Sequence, residues 1–276
     1  MEAGLLHIFR NTAMGRENFL QSLYFCRKTG ASPIVYIPEF TKFLMYFEDE
    51  VMQVDLNDSW LLARESARKH AGELLKSSGF EPDFLVPKNF TSATLPDIPT
   101  HFDFMSCPWN IRSFSSAMGR RHKALRVRRM VNAAYFPLLL CSPAYKPWNS
   151  ITVFFNGSVN SLNALKLGLR IQKNTGLLMD IFTQSEGKFL SEYEDILKKA
   201  NLETETKQVL GRWQFFERSS LEEDLYEIPH DALVILGASG RSLLQDMVCG
   251  SFLEKLQILI SNTMLIAGPK YAVSES

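Results

Sequence analysis

At 276 residues the chain exceeds one ordinary domain and provides for about two of comparable size. A hydrophobic fraction of 46%, including 20 Phe, supplies buried cores and excludes a disordered chain. A formal net charge of zero leaves no bulk field to recruit nucleic acid or anionic lipid, so a charged partner has to be met locally.

In chain order the first predicted strand is Leu5–Phe9, which runs to Asn11. A helix-period segment follows with Phe19, Leu20, Leu23, Tyr24 and Cys26, closing at Thr29-Gly30, where glycine suits a left-handed cap. A second strand spans Pro33–Ile37, a long helix about Asp58–Ser77 and a further strand Phe84–Val86. The Pro- and Thr-rich passage Pro87–Thr100 reads as loop. After Phe102-Asp103-Phe104-Met105 comes a helical segment and then the apolar strand Phe136–Cys141, too short to cross a membrane.

Pro143–Trp148 is the expected linker, dividing the chain into domains 1–145 and 146–276. The plan then starts again. Ile151–Phe155 runs to Asn156, and a helix carries Leu162, Ala164, Leu165, Leu167, Gly168 and Leu169. It closes at Thr175-Gly176, and Leu177–Phe182 is the next strand. A strand about Gln208–Phe216, a short helix Ser220–Tyr226, a strand Ala232–Leu236, a long helix and a last strand Thr263–Ala267 complete the copy. Strands alternating with helices predict a parallel sheet in each half.

The chemistry concentrates after the fourth strand of the second copy. Leu236 leads into Gly237-Ala238-Ser239-Gly240, then Arg241 to Cys249, then Gly250-Ser251 at the head of a helix with Phe252, Leu253, Leu256, Leu259 and Ile260. Bare glycine backbone lets N–H groups approach phosphate oxygens, and a helix start adds unpaired N–H groups and a positive dipole end. The bland alternative is that these glycines only permit turns and close packing.

This spacing resembles the nucleotide-binding motif of the universal stress protein family, and the chain as a whole resembles a tandem member. The resemblance implies two Rossmann-like (adenine nucleotide alpha hydrolase-like) α/β domains, each a five-stranded mainly parallel sheet flanked by helices. It also implies a cytoplasmic regulatory protein that binds ATP or AMP, with or without Mg, in the second domain only. The two halves would pair as the family's homodimers do. Carried over, the contacts are Asn156 near ribose or base, backbone at Ile181 or Phe182 to adenine, and Leu236, Gly237, Gly240, Arg241, Gly250 and Ser251 around phosphate. The family's usual Asp is Asn156 here, which keeps hydrogen-bonding capacity and loses a charge.

The first copy has Ser106-Cys107-Pro108-Trp109 where a glycine loop belongs, so no nucleotide is expected there. From Arg112 to Arg129 runs the strongly basic stretch of the chain, either a docking patch or a solvated helix face. Cys26, Cys107, Cys141 and Cys249 lack the close spacing of zinc or redox motifs, and the histidines show no metal spacing, so reduced thiols and no metal site are expected. Cys249, next to a helix start, is either a reactive thiol or a buried inert one. No nucleophile elbow, Walker-type lysine or close carboxylate pair is present, so no catalytic residue is assigned. The competing function is a ligand-free scaffold acting through its surface. A homodimer or a protein partner fits either reading, no membrane is expected, and nucleic acid has only the basic stretch to meet.

Overall fold

The computed structural model describes residues 3–87, 95–108, 129–185, 187–217, 220–238, 256 and 258–272. It divides into two compact units, Met1–Tyr145 and Lys146–Ser276.

In the first unit, β1 (Gly4–Ile8) is buried along its whole length, as a central strand covered on both faces must be. Helix α1 (Ala13–Thr29) starts at Thr12, whose hydroxyl accepts from Gly15 N at 3.1 Å. It ends at Gly30, whose φ of 73° lets its N–H return to Cys26 O. The chain continues through β2 (Ser32–Tyr36), β3 (Lys42–Tyr46), β4 (Val51–Asp55), α2 (Arg64–Ser77), β5 (Phe84–Leu85), β6 (Asp97–Ile98), β7 (Phe104–Pro108) and β8 (Leu138–Cys141). Strands β8, β7, β1, β2 and β5 form, in that order, a parallel sheet. Ala67, Ala71 and Leu75 of α2 bury against Phe9, Phe19, Leu23 and Val35.

The second unit repeats this design with β9 (Ser150–Phe154), α3 (Val159–Thr175), β10 (Met179–Gln184), α4 (Leu190–Lys199), α5 (Glu203–Val209), β11 (Leu210–Phe216), α6 (Leu221–Asp224), β12 (Ala232–Gly237) and β13 (Met264–Ala267). Its parallel order is β11, β10, β9, β12, β13. Both sheets wind outward from their first strand in one direction and then, by a long return, in the other. The reversal lies between β1 and β7 in the first unit and between β9 and β12 in the second. Phe154, Phe182 and Phe216 form a row across three strands, with ring centres 4.6 and 5.1 Å apart. Both units are thus Rossmann-like α/β domains.

Several expectations need correction. The helix expected at Asp58–Ser77 is interrupted: Asp58–Trp60 is a 3-10 turn whose first residues are capped by Asn57 Oδ1, and Ala63 at φ 52° separates it from α2. The 38–57 region, which carried no predicted element, holds the β3–β4 hairpin. β6 pairs with β3 inside the passage read as loop. Ser106 and Cys107 are not loop residues, because β7 continues through them to Pro108. The basic stretch lies outside the described residues except Arg129, which pairs with Glu50 at 3.1 Å.

The copies superpose in sequence at a constant offset. Gly4, Ala13 and Gly30 stand 146 residues before Ser150, Val159 and Gly176. Asn11 therefore matches Gly157, and the true counterpart of Asn156 is Arg10.

Candidate functional site

In the second unit the site builds from the end of β9. Asn156 Oδ1 accepts from Ser158 N at 3.1 Å, an Asx turn that bends the chain toward α3. Gly157 takes φ 78°, and Ser158 caps the helix by accepting from Ser161 N at 3.2 Å. Asn160 in the first turn of α3 donates from Nδ2 to Ala238 O at 2.6 Å, tying the helix start to the end of β12. A Cβ on Gly237 would run into the backbone of Asn160, so this position must stay bare for strand and helix to close. Gly237 thus has a packing reason of its own.

Strand register shows which predicted contacts share a place. Val153 pairs with Ile235 and Phe154 with Phe182, which puts Asn156, Ala238 and Gln184 at one level at the carboxyl ends. Gly237 lies beside them, and Leu236 is a buried residue of the same strand. Ile181 does not join the group: it is fully buried in mid-strand, paired with Val153 on one side and Trp213 on the other. Phe182 O already accepts from Phe155 N at 2.9 Å. β10 ends at Gln184, whose Nε2 donates to Asp224 Oδ2 at 3.4 Å. Gly240, Arg241, Gly250, Ser251 and Cys249 lie outside the described residues.

Sequence reading missed a polar support beneath this level. Thr183, fully buried, donates to Phe155 O at 2.7 Å and accepts from Trp213 Nε1 at 3.0 Å. The bonds hold Phe155, the residue after β9, from the neighbouring strands. A lone Thr in an apolar strand is the only trace they leave in the sequence.

The corresponding position in the first unit is chemically different. Arg10 replaces Asn156, and Pro108 occupies the register of Gly237, since it pairs with Cys141 as Gly237 does with Ala267. Deeper in the sheet, His7 Nδ1 lies 2.9 Å from Ser22 Oγ and 3.0 Å from Ser106 Oγ, and Ser22 donates to Ser106 at 2.8 Å. Burial pushes the His7 imidazole down to about 3, so it is neutral in this cluster at neutral pH. Burial also raises the thiols of Cys107 to about 12 and Cys141 to about 11, and that of Cys26 further. These three are buried, protonated thiols at neutral pH.

Among the described residues no cluster of His, Cys, Asp or Glu could hold a metal ion, and no helix is long and apolar enough to cross a membrane.

No model of a known protein family matches the chain, and no curated protein does. Solved structures do. A universal stress protein from Archaeoglobus fulgidus DSM 4304 superposes with a TM-score of 0.61 at 11% identity, covering 96% of this chain and 97% of that one. The chain has the universal stress protein fold. A putative universal stress protein from Pseudomonas aeruginosa UCBPP-PA14 gives 0.52 at 9% identity over 98% and 94% of the two chains. The cytoplasmic domain of a prokaryotic cation chloride cotransporter gives 0.55 at 11% identity over 98% and 96%. One universal stress protein fold therefore serves proteins of different kinds, and function has to be argued from the site.

Proposed function

We propose that the second unit binds an adenine nucleotide, ATP or AMP, as a regulatory signal, and that the first unit is its structural companion. The observation that carries this reading is the level of Asn156, Gln184 and Ala238 at the winding reversal. There the amino end of α3 is held against β12, and the chain leads directly into the glycine-rich segment 237–251. Ligands of open parallel sheets sit in such a crevice because the two neighbouring connections leave it in opposite directions. Main-chain N–H groups of the glycine segment would hold phosphate, and Mg would share its charge. Asn156 Nδ2 remains to donate to ribose or base, since its Oδ1 is engaged by Ser158. Nothing in this set activates a water or a nucleophile, which favours a binding role over turnover.

Thermal unfolding with millimolar ATP or AMP tests this, because a ligand that binds only the folded chain raises its melting temperature. The expected rise is several degrees and is lost in Gly240→Val or Gly250→Val, with the circular dichroism spectrum unchanged. Absence of a shift with every adenine nucleotide would instead favour the scaffold reading.

A further inference from the structure

The carboxyl end of β1 carries positive charge that no ion pair balances among the described residues. Arg10 is half-buried there, with Nη2 donating to Ser59 Oγ at 2.6 Å and the guanidinium carbon 5.6 Å from the centre of the Trp60 ring. Its Nε is buried without an acceptor among the described residues. Among the described residues, neither Arg10 nor Arg16 forms an ion pair; Arg16 donates to Asn11 Oδ1 at 3.2 Å. The first turn of α1, which starts beside them, has no acidic residue, and Glu17 accepts from Tyr145 N at 2.8 Å. The segment 109–128, which follows β7, contains no Asp or Glu at all. A partly desolvated guanidinium at a helix amino end is costly without a counter-charge.

A second, independent mark lies in the same crevice. Asn18 is 5% exposed, and its Oδ1 accepts no hydrogen bond among the described residues. Arg10 and Asn18 line one cavity of about 10 Å³ together with His7, Gly15, Trp60 and Ser106. That volume admits one oxygen with its hydrogen. The two residues that hold the unmatched donor and the unmatched acceptor both line it, so an occupant that meets both has to accept and donate at once. A water does both and leaves the Arg10 charge unbalanced; an oxyanion bearing a hydroxyl meets all three demands.

We propose that this crevice of the first unit binds a small protonated oxyanion, hydrogenphosphate. One P–OH enters the cavity, where its oxygen accepts from Arg10 Nε–H and its hydrogen is donated to Asn18 Oδ1. The charged oxygens stay at the mouth, facing the guanidinium and the amino end of α1. Sulfate, which carries no proton at neutral pH, satisfies Arg10 and opposes Asn18 with a second acceptor. The site is distinct from the nucleotide reading of the second unit and does not depend on it.

The test is thermal unfolding of the whole chain in millimolar sodium phosphate, with sulfate and chloride at matched ionic strength. Low concentrations keep the general stabilisation by these salts small. Phosphate is expected to raise the melting temperature by about 2–4 °C above chloride, and sulfate by less than half of that. The phosphate effect should vanish in Arg10→Gln and persist in Gly240→Val. Should Arg10→Gln fail to fold, Asn18→Asp supplies a carboxylate beside Arg10 and should abolish the effect in a folded protein. A phosphate shift no larger than that of chloride, or equal to that of sulfate, overturns the proposal. So does a shift that survives both first-unit variants or disappears with Gly240→Val.

Discussion

The residue that most separates the two copies is His7. It stands at the position of Val153 in the second unit, and its partner Ser22 stands at that of Gly168. There, Val153 Cγ2 comes within 2.6 Å of where a Cβ would sit on Gly168, so the same layer is closed by apolar contact. In the first unit hydrogen bonds close it instead. Sequence periodicity sees a strand in both cases and cannot see the exchange, because a His within a buried strand reports its partners only once the fold brings position 106 beside it. The exchange has a pH signature. Native His7 is held at about 3 against 6.5 for an ordinary imidazole, so below pH 6.5 the unfolded chain takes up a proton that the native chain refuses. The His7 contribution is complete above 6.5 and declines as pH falls toward 3, at up to about 1.4 kcal/mol per pH unit. Urea unfolding at pH 7 and pH 5 checks this: the intact chain should lose stability between them, and His7→Gln should lose about 1–2 kcal/mol less. Equal losses would show that His7 titrates normally in the folded protein.

At the scale of elements, strands and helices that answer to short local rules were legible. The Thr-Gly closures of α1 and α3 are left-handed caps in both copies, because only glycine enters that conformation without strain. The β3–β4 hairpin was not legible. Its alternation of buried Phe43 and Met45 with exposed Lys42 and Tyr46 is blurred by Leu44, and its pairing to β6 is decided far along the chain. The matched strands and Thr-Gly closures already carry the offset of 146, and the helix caps Thr12 and Ser158 share it; only Asn11 and Asn156, each at the end of a first strand, are not equivalent. The same spacing makes α3 sit close on β9, which predicts that Gly168→Val cannot be absorbed. Its Cβ would also come within 3.1 Å of Met179 Sδ. The expected loss is about 1–3 kcal/mol, read as a lower urea midpoint. A neutral result would mean that α3 can move away from the sheet.

For the whole molecule, one design built twice has been given two chemistries at the same structural point. The second unit has Asn156 after β9 and Gly237 at the end of β12, while the first has Arg10 and Pro108 at the same places. The turn chemistry of Asn156 and Gly157 was legible in the sequence, but the role of Gly237 against Asn160 and the support from Thr183 depend on register and were hidden. If the second unit alone takes nucleotide, stabilisation by ligand should be divided between the units. Amides that exchange only through opening of the second unit gain protection in proportion to ligand bound to its closed form. Hydrogen exchange followed by mass spectrometry, with and without millimolar ATP, should then show slowing in peptides spanning β9, β10, β12 and β13. Peptides of β1, β2, β7 and β8 should change little. Slowing of equal size throughout would mean that the two units open as one, and slowing confined to β1 and β7 would place the nucleotide at Arg10 instead.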